Sequence, residues 1–158
     1  MTRNDATAAC MQDLVIDTVS QEEQLCDLAQ LKALDDAIVT GGNPDQDSAL
    51  DKLLRLDEYI DFHAAYIHQE AYAYAQTREP QGRSLELEWV FVHPSFRRAG
   101  MGRKLLAHVV GYAHQKGVCE LSATFGQHCY TEAISFLQES GFTVEKQENG
   151  LYIATRGV

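Results

Sequence analysis

The sequence predicts an α/β fold of the α+β type, in which a central sheet of about six to seven strands is flanked by about four helices. Three observations support this prediction. The 158 residues suit one domain with a sizeable core. A hydrophobic fraction of 45% with 23% charged residues is typical of a globular protein. Strand and helix patterns also alternate along the chain, in the order β-α-α-β-β-β-α-β-α-β-β.

Each expected element has a local signal. Branched and aromatic residues indicate strands at 14–19, 65–68, 71–77, 85–92, 118–125, 143–147 and 151–155. Helical spacing of apolar residues indicates helices at 20–39, from about 48 to Ile60, at 102–116 and at 131–140. Ser20 and Glu23 form a capping box for the first helix, and Asp47 or Ser48 can cap the second. An Asn-Gly pair predicts the turn of the last hairpin.

The N-terminal residues carry no recognisable targeting signal. Residues 1–13 are small and polar and are expected to form a flexible N-terminus, so that a single domain spans 14–158. They do not combine a charged segment with an apolar one, as a secretory signal would. The sequence has no apolar run of the roughly 20 residues that span a bilayer. A cytoplasmic protein without a membrane partner is therefore the expectation.

The most informative stretch predicts a strand, a loop and a helix in direct succession. Leu85–Val92 has strand composition, and Pro94 ends the strand because proline cannot donate to a sheet ladder. A loop with Gly100 and Gly102 then opens an amphipathic helix. The first turn of a helix has free backbone N–H groups at the positive end of its dipole. This arrangement predicts a phosphate or pyrophosphate site.

The pattern of this stretch distinguishes among phosphate-binding motifs. The Rossmann fingerprint requires a third glycine where Leu105 stands, and no Gly-Lys-Ser/Thr run of a P-loop is present. Val92-His93-Pro94 is instead followed by Arg97-Arg98-Ala99-Gly100-Met101-Gly102. The stretch resembles motif A of the GNAT superfamily of acyl-CoA-dependent N-acyltransferases. That signature is Arg/Gln-x-x-Gly-x-Gly/Ala after a strand that ends in Val-x-Pro, and the predicted element order is also the GNAT order.

The resemblance implies a fold, a co-substrate and a reaction. The sheet would be mixed, with a β-bulge or splay at the cofactor site. The enzyme would transfer an acetyl group from acetyl-CoA to a primary amine, a small molecule or a peptide, by direct attack in a ternary complex. Pantetheine would lie between 90–92 and 121–124, and an N–H near Val90 would polarise the thioester. The implied cofactor-binding residues are Val90, Phe91, Val92, Arg97, Arg98, Ala99, Gly100, Met101, Gly102 and Arg103. The resemblance also allows a homodimer.

Two carboxylates are candidates for the general base that removes the proton of the amine. Glu86 and Glu88 share one face of the predicted strand, about 7 Å apart. Glu86 aligns with the base of several family members, Glu88 is the second candidate, and a water relay is an alternative. Either carboxylate could instead face solvent or pair with an arginine.

The general acid is where the sequence departs from the family. The tyrosine that often protonates the leaving thiolate is replaced by Leu137. Tyr130, near the start of the same helix, is the candidate substitute, with Cys129 and His128 as alternatives. A thiolate can also leave without an acid, because thiol pKa values lie near neutrality.

Composition and charge limit the classes of ligand that the protein is expected to bind. Thirteen basic against twenty-three acidic residues give a net charge of −10, which disfavours nucleic acid. The acidic surface could attract an amine or serve only solubility. The four cysteines form no C-x-x-C pair and are expected to be reduced thiols. The six histidines form no H-x-x-x-H pair, so no metal is expected.

Two other functions remain open at this point. The absent tyrosine would suit a non-catalytic acyl-CoA-binding sensor or interaction module, whereas Glu86 and Glu88 favour the enzyme. The loop could also serve another nucleotide.

Overall fold

A computed structural model of the protein describes residues 10–20, 22–56, 59–126 and 131–158. The elements follow the predicted order. The strands are β1 (Leu14–Thr18), β2 (Ile60–Ile67), β3 (Glu70–Gln81), β4 (Ser84–Val92), β5 (Glu120–Phe125), β6 (Thr143–Lys146) and β7 (Tyr152–Gly157). The helices are α1 (Glu22–Thr40), α2 (Gln46–Leu54), α3 (Met101–Gln115) and α4 (Thr131–Glu139). None of the described helices is long and apolar enough to cross a membrane.

One mixed sheet organises the described part of the chain. Its seven strands lie in the order β1-β2-β3-β4-β5-β7-β6. Neighbouring strands are antiparallel except β4 and β5, which are parallel. A parallel pair requires a crossover connection, and α3 supplies it. The predicted mixed sheet flanked by helices is confirmed.

The two faces of the sheet have separate cores. On one face, the apolar stripe of α3 packs with strand residues and with Leu137 of α4. The buried members of this stripe are Met101, Leu105, Leu106, Val109 and Ala113. On the other face, α1 and α2 cover Phe62, Tyr66, Tyr74 and Phe91. Side chains alternate between the faces along each strand, so β2, β3 and β4 contribute to both cores.

Several helix ends differ from the predictions. The Ser20 N–H donates to Gln24 Oε1 at 2.9 Å rather than to Glu23. The N-cap of α2 is Asp45, whose carboxylate accepts from the Ser48 N–H at 3.1 Å. Ile60 was expected on the apolar side of α2, and this was wrong because α2 ends at Leu54 and Ile60 begins β2. The two N-terminal ends each involve a single side-chain hydrogen bond, which the apolar spacing does not encode.

A polar cluster is buried between the sheet and α3. The His63 ring is fully buried, and its Nδ1 and Nε2 lie 3.0 Å and 2.9 Å from the hydroxyls of Thr18 and Thr77. His108 of α3 reaches the same Thr18 hydroxyl at 3.1 Å, and the Tyr112 ring packs edge-on against His63. Burial, and then the neighbouring His108, lowers the pKa of His63 to about 3. Burial also lowers the pKa of His108, although Asp17 opposes the shift. The folded protein therefore holds His63 neutral.

This cluster predicts acid sensitivity of the fold. The unfolded chain protonates His63 below about pH 6.5, whereas the folded chain resists protonation down to about pH 3. The free energy of unfolding should therefore fall as pH decreases through this window, by up to about 1.4 kcal/mol per pH unit. Urea unfolding between pH 4.5 and 7.5 measures the slope. His63→Gln should flatten it, and the exposed His114→Gln serves as the control. An unchanged slope in His63→Gln would contradict the assignment.

Candidate active site

The parallel strands β4 and β5 separate into a wedge. Their pairing is confined to three positions, where Ser84, Leu85 and Glu86 face residues 120–122. Beyond this point β4 continues to Val92, paired only with β3, and β5 continues paired only with β7. The facing backbone N–H and C=O groups of the two strands are thus left open to an extended ligand. The predicted splay is confirmed.

A β-bulge lies where the wedge opens. Gln76 of β3 pairs with Trp89, whereas Thr77 pairs with Leu87, so Glu88 is the extra residue of β4. A bulge redirects the side chains that follow it. Leu87 belongs to the core under α3. Glu88 and Trp89 both lie on the opposite face, which carries α1.

The loop after β4 is fixed by its own hydrogen bonds. The His93 Nδ1 accepts from the Ser95 N–H at 3.0 Å. Burial, and then the Arg97 charge, lowers the pKa of His93, which agrees with a neutral acceptor ring. The Arg97 Nε donates to the Val92 carbonyl at 3.1 Å, and its guanidinium lies 5.7 Å from the Phe91 ring centre. Arg97 is therefore turned back against the end of β4.

The loop ends in two left-handed residues that direct the chain into α3. Arg98 has φ 65°, and Gly100, the N-cap, has φ 86° and ψ 2°. The first helical hydrogen bond runs from the Lys104 N–H to the Gly100 carbonyl at 3.1 Å. Within the described residues, the three preceding amides, from Met101 to Arg103, have no acceptor. This is the backbone arrangement on which the sequence-based prediction of an anion site depends.

Gly102 has a packing role that the sequence did not indicate. A Cβ at this position would lie 3.0 Å from the Phe136 ring and 3.3 Å from Val92. Glycine was expected here for close approach of a pyrophosphate. The geometry adds a packing reason, because the missing side chain lets α4 and β4 pack against the first turn of α3.

The other predicted cofactor residues surround the same opening. Val90 and Val92 pack towards α3, whereas Phe91 is buried towards α1. Ala99 is half-buried, and the Met101 side chain is fully buried in the core. The backbone of each of these residues can therefore contact a cofactor. The side chain of Met101 cannot, because it is buried in the core. Arg103 is exposed, with one guanidinium nitrogen 4.0 Å from Glu139.

The predicted catalytic residues differ in position. Glu86 is exposed and occupies the last paired position before the wedge. Glu88 is half-buried at the bulge, where its carboxylate accepts from Arg78 at 3.3 Å and from Gln76 at 3.5 Å. Leu137 is buried in the core under α3. Tyr130, with His128 and Cys129, lies outside the described residues.

The site also contains residues that sequence reasoning missed. Trp89 donates through Nε1 to Oδ2 of Asp35 at 2.6 Å. The Tyr74 hydroxyl donates to the same oxygen at 2.5 Å. The sequence contained one signal for this contact. Asp35 is a carboxylate at a position that continues the buried apolar stripe of Leu28 and Leu31 on α1. Within the described residues, no group of acidic, histidine and cysteine side chains could hold a metal ion.

Comparison with solved structures defines the class of fold. An acetyltransferase from Thermus thermophilus superposes with a TM-score of 0.69 at 20% identity, over 92% of this chain and 97% of that one. The PaiA N-acetyltransferase of Thermoplasma acidophilum in complex with coenzyme A gives 0.67 at 17% identity, over 91% and 99%. The ribosomal-protein-S18-alanine N-acetyltransferase of Escherichia coli gives 0.65 at 16% identity, over 92% and 94%. At these identities the likeness establishes the fold, which is that of N-acetyltransferases.

The sequence itself establishes the family. Residues 26–142 match the acetyltransferase (GNAT) family model. No curated protein matches the chain with significant similarity. The matched segment covers most of the chain and includes the wedge, the loop and α3. The protein belongs to the GNAT acetyltransferase family and is an acyltransferase.

Proposed function

We propose that the protein is an N-acetyltransferase that transfers an acetyl group from acetyl-CoA to a primary amine, by direct attack in a ternary complex. One observation carries the proposal. The open wedge between β4 and β5 leads directly to the free amides at the N-terminus of α3. A ligand with an extended amide chain and a pyrophosphate, such as coenzyme A, matches both parts.

The first turn of α3 and the arginines beside it fit this co-substrate. The amides of Met101, Gly102 and Arg103 would bind the pyrophosphate, with Arg98 and Arg103 adding positive charge to an acidic protein. The open edges of β4 and β5 would pair with the pantetheine amides. The backbone near Val90 would donate to the thioester carbonyl.

The amine reaches the thioester from the face opposite α3, which carries Glu88. An alkylammonium has a pKa of roughly 10, so a base must remove its proton before attack. We assign this role to Glu88, because it lies at the bulge inside the wedge, and keep Glu86 as the alternative. Either can act directly or through one water. The N–H near Val90 would then stabilise the negative charge that develops on the carbonyl oxygen.

The leaving thiolate needs either a proton donor or a thiol that is acidic enough to leave as the anion. Leu137 fills the core and has no proton to give. Tyr130 is the candidate donor. A thiol with a pKa of about 8.5 can also leave as the thiolate, so a donor is not obligatory.

Two measurements test the proposed function. Isothermal titration should detect binding of acetyl-CoA and CoA, and a free-thiol assay with a panel of primary amines should detect turnover. Absence of CoA binding would remove the proposal. Binding without turnover on any amine would leave an acyl-CoA-binding module instead.

Gly100→Ala should weaken acetyl-CoA binding, because alanine disfavours the φ of 86° that directs the free amides. Gly82→Ala is a matched control. Gly82 has φ 73° in the β3–β4 turn, and at both glycines a Cβ would meet nothing within 4 Å. Each substitution should cost about 1–2 kcal/mol of stability. Only Gly100→Ala should raise the Kd for acetyl-CoA in titration calorimetry. Equal affinities of the two variants would argue against this loop as the pyrophosphate site.

A further inference from the structure

The single tryptophan of the chain is held in one orientation beside the wedge. Trp89 is 44% exposed, yet its indole N–H donates to the carboxylate of Asp35. Asp35 is only 3% exposed and also accepts from the buried Tyr74 hydroxyl. The polar edge of the indole is thus fixed to α1, while its apolar surface stays in contact with solvent.

The carboxylate of Asp35, which fixes Trp89, lowers stability by being buried in a core. Burial raises the pKa of Asp35, and the hydrogen bonds from Tyr74 and Trp89 oppose the shift. A well-packed apolar residue at this place would often give equal stability. The arrangement points to a requirement for the orientation of Trp89 rather than for stability alone.

Two more exposed apolar residues lie one helical turn beyond Asp35 on α1. Ile38 and Val39 follow Asp35 by three and four residues, which places them on the same side of α1 within one turn. They are 42% and 65% exposed. We call Trp89, Ile38 and Val39 the apolar rim. Exposed apolar residues that cluster beside an opening commonly mark a binding surface.

A negatively charged side chain, that of Glu86, lies close to the apolar rim. Trp89 and Glu86 pair with Gln76 and Arg78, which are two residues apart on β3. Glu86 therefore lies about 7 Å from Trp89 along the same face. Glu88 lies between them, with its charge balanced by Arg78. This face combines an apolar surface with one carboxylate that is exposed.

We propose that the apolar rim binds the carbon body of the acceptor, and that the acceptor is a primary amine with an alkyl chain or aryl ring. Trp89 is then a specificity-determining residue, and small polar amines are poor substrates. This inference rests on the proposed function, because it presumes that the amine enters from the face of Glu88. The occupant is a small molecule rather than a second copy, since Trp89, the rim residue on β4, directly follows the bulge of the proposed reaction site.

Steady-state kinetics with matched amines tests the inference. Phenethylamine and hexylamine should each give a kcat/KM at least about tenfold above that of ethanolamine, because burial of several carbons contributes that much. The difference should lie mainly in KM. Phenethylamine added to the CoA-saturated enzyme should also change the emission of Trp89, the only tryptophan, with a midpoint near that KM.

Variants assign the preference to the rim. Trp89→Ala and Val39→Ser should each reduce the preference of the wild type for phenethylamine, Trp89→Ala by about tenfold. The Kd for acetyl-CoA should stay within about twofold, which also reports that the variants are folded. Val39→Ser is an exposed change that preserves the core if Trp89→Ala does not fold. Val15→Ser is the control, at another exposed valine, on the edge strand β1.

The outcomes separate the two proposals. Loss of all acetyl-CoA binding or turnover in the wild type refutes the proposed function itself. Turnover with equal kcat/KM for the three amines refutes only the inference. A preference that survives Trp89→Ala and Val39→Ser also refutes it. Sedimentation that shows a dimer disrupted by Val39→Ser would make the rim a subunit interface and overturn the proposal.

Discussion

Glu88→Gln is expected to lower kcat by about 10²- to 10⁴-fold at neutral pH, the usual contribution of a general base. The physical reason is that glutamine cannot accept the ammonium proton, although it preserves the shape of the bulge. The Kd for acetyl-CoA should be nearly unchanged, because this side chain lies on the face opposite α3. Thiol release with a saturating amine measures kcat, and calorimetry measures the affinity.

Glu86→Gln provides the matched comparison for that experiment. It makes the same chemical change two residues away, at the exposed position where β4 and β5 are still paired. We expect a smaller effect on kcat. If Glu86→Gln is the damaging change and Glu88→Gln is not, the base is Glu86, as the family alignment suggested. If neither lowers kcat, both assignments fail and a water relay through other groups is required.

Gly102→Val is expected to reduce the free energy of unfolding by about 1–3 kcal/mol, the typical cost of overpacking. Its Cβ would lie 3.0 Å from the Phe136 ring, so α4 must move away from the first turn of α3. The affinity for acetyl-CoA should fall as well, since the Gly102 amide belongs to the proposed pyrophosphate site. Urea unfolding and calorimetry measure the two effects.

Gly111→Ala is the control for that substitution. Gly111 lies on the exposed side of the same helix, where a Cβ would meet nothing within 4 Å. Alanine should increase the free energy of unfolding there by about 0.5–1 kcal/mol, through helix propensity. If Gly102→Val has the same free energy of unfolding as the wild type, Phe136 can move aside without loss of stability. That result would contradict the packing role.

Local patterns were sufficient for the order of elements and for the form of the loop that leads into α3. The apolar spacing of α3 and the strand that ends before Pro94 are both local, and both have the predicted form. The left-handed Gly100 is local too, because glycine at a helix start tolerates that conformation. The roles of Glu86, Glu88 and the cofactor residues stay predictions until the variants are measured.

Features that depend on pairing between distant elements were not predictable. The family resemblance implied a bulge, but only the register against β3 identifies Glu88 as the extra residue. Asp35 meets Trp89 across 54 positions of sequence, and no local pattern joins them. The neutral His63 similarly depends on its burial between the sheet and α3, to which the neighbouring His108 of that helix adds. In each case a polar residue is explained by a partner that only the tertiary structure supplies.

The short pairing of β4 with β5 has a mechanical consequence. The sheet consists of two antiparallel ribbons, β1–β4 and β5–β7–β6, which share only three paired positions. The pairing of β4 with β5 can break while the hydrogen bonds within each ribbon stay intact. It should therefore open at a lower free energy than the rest of the sheet. A ligand that forms hydrogen bonds to the open edges of both β4 and β5 would join the two ribbons, as an additional strand would. Binding and stiffening of the molecule would then be a single event.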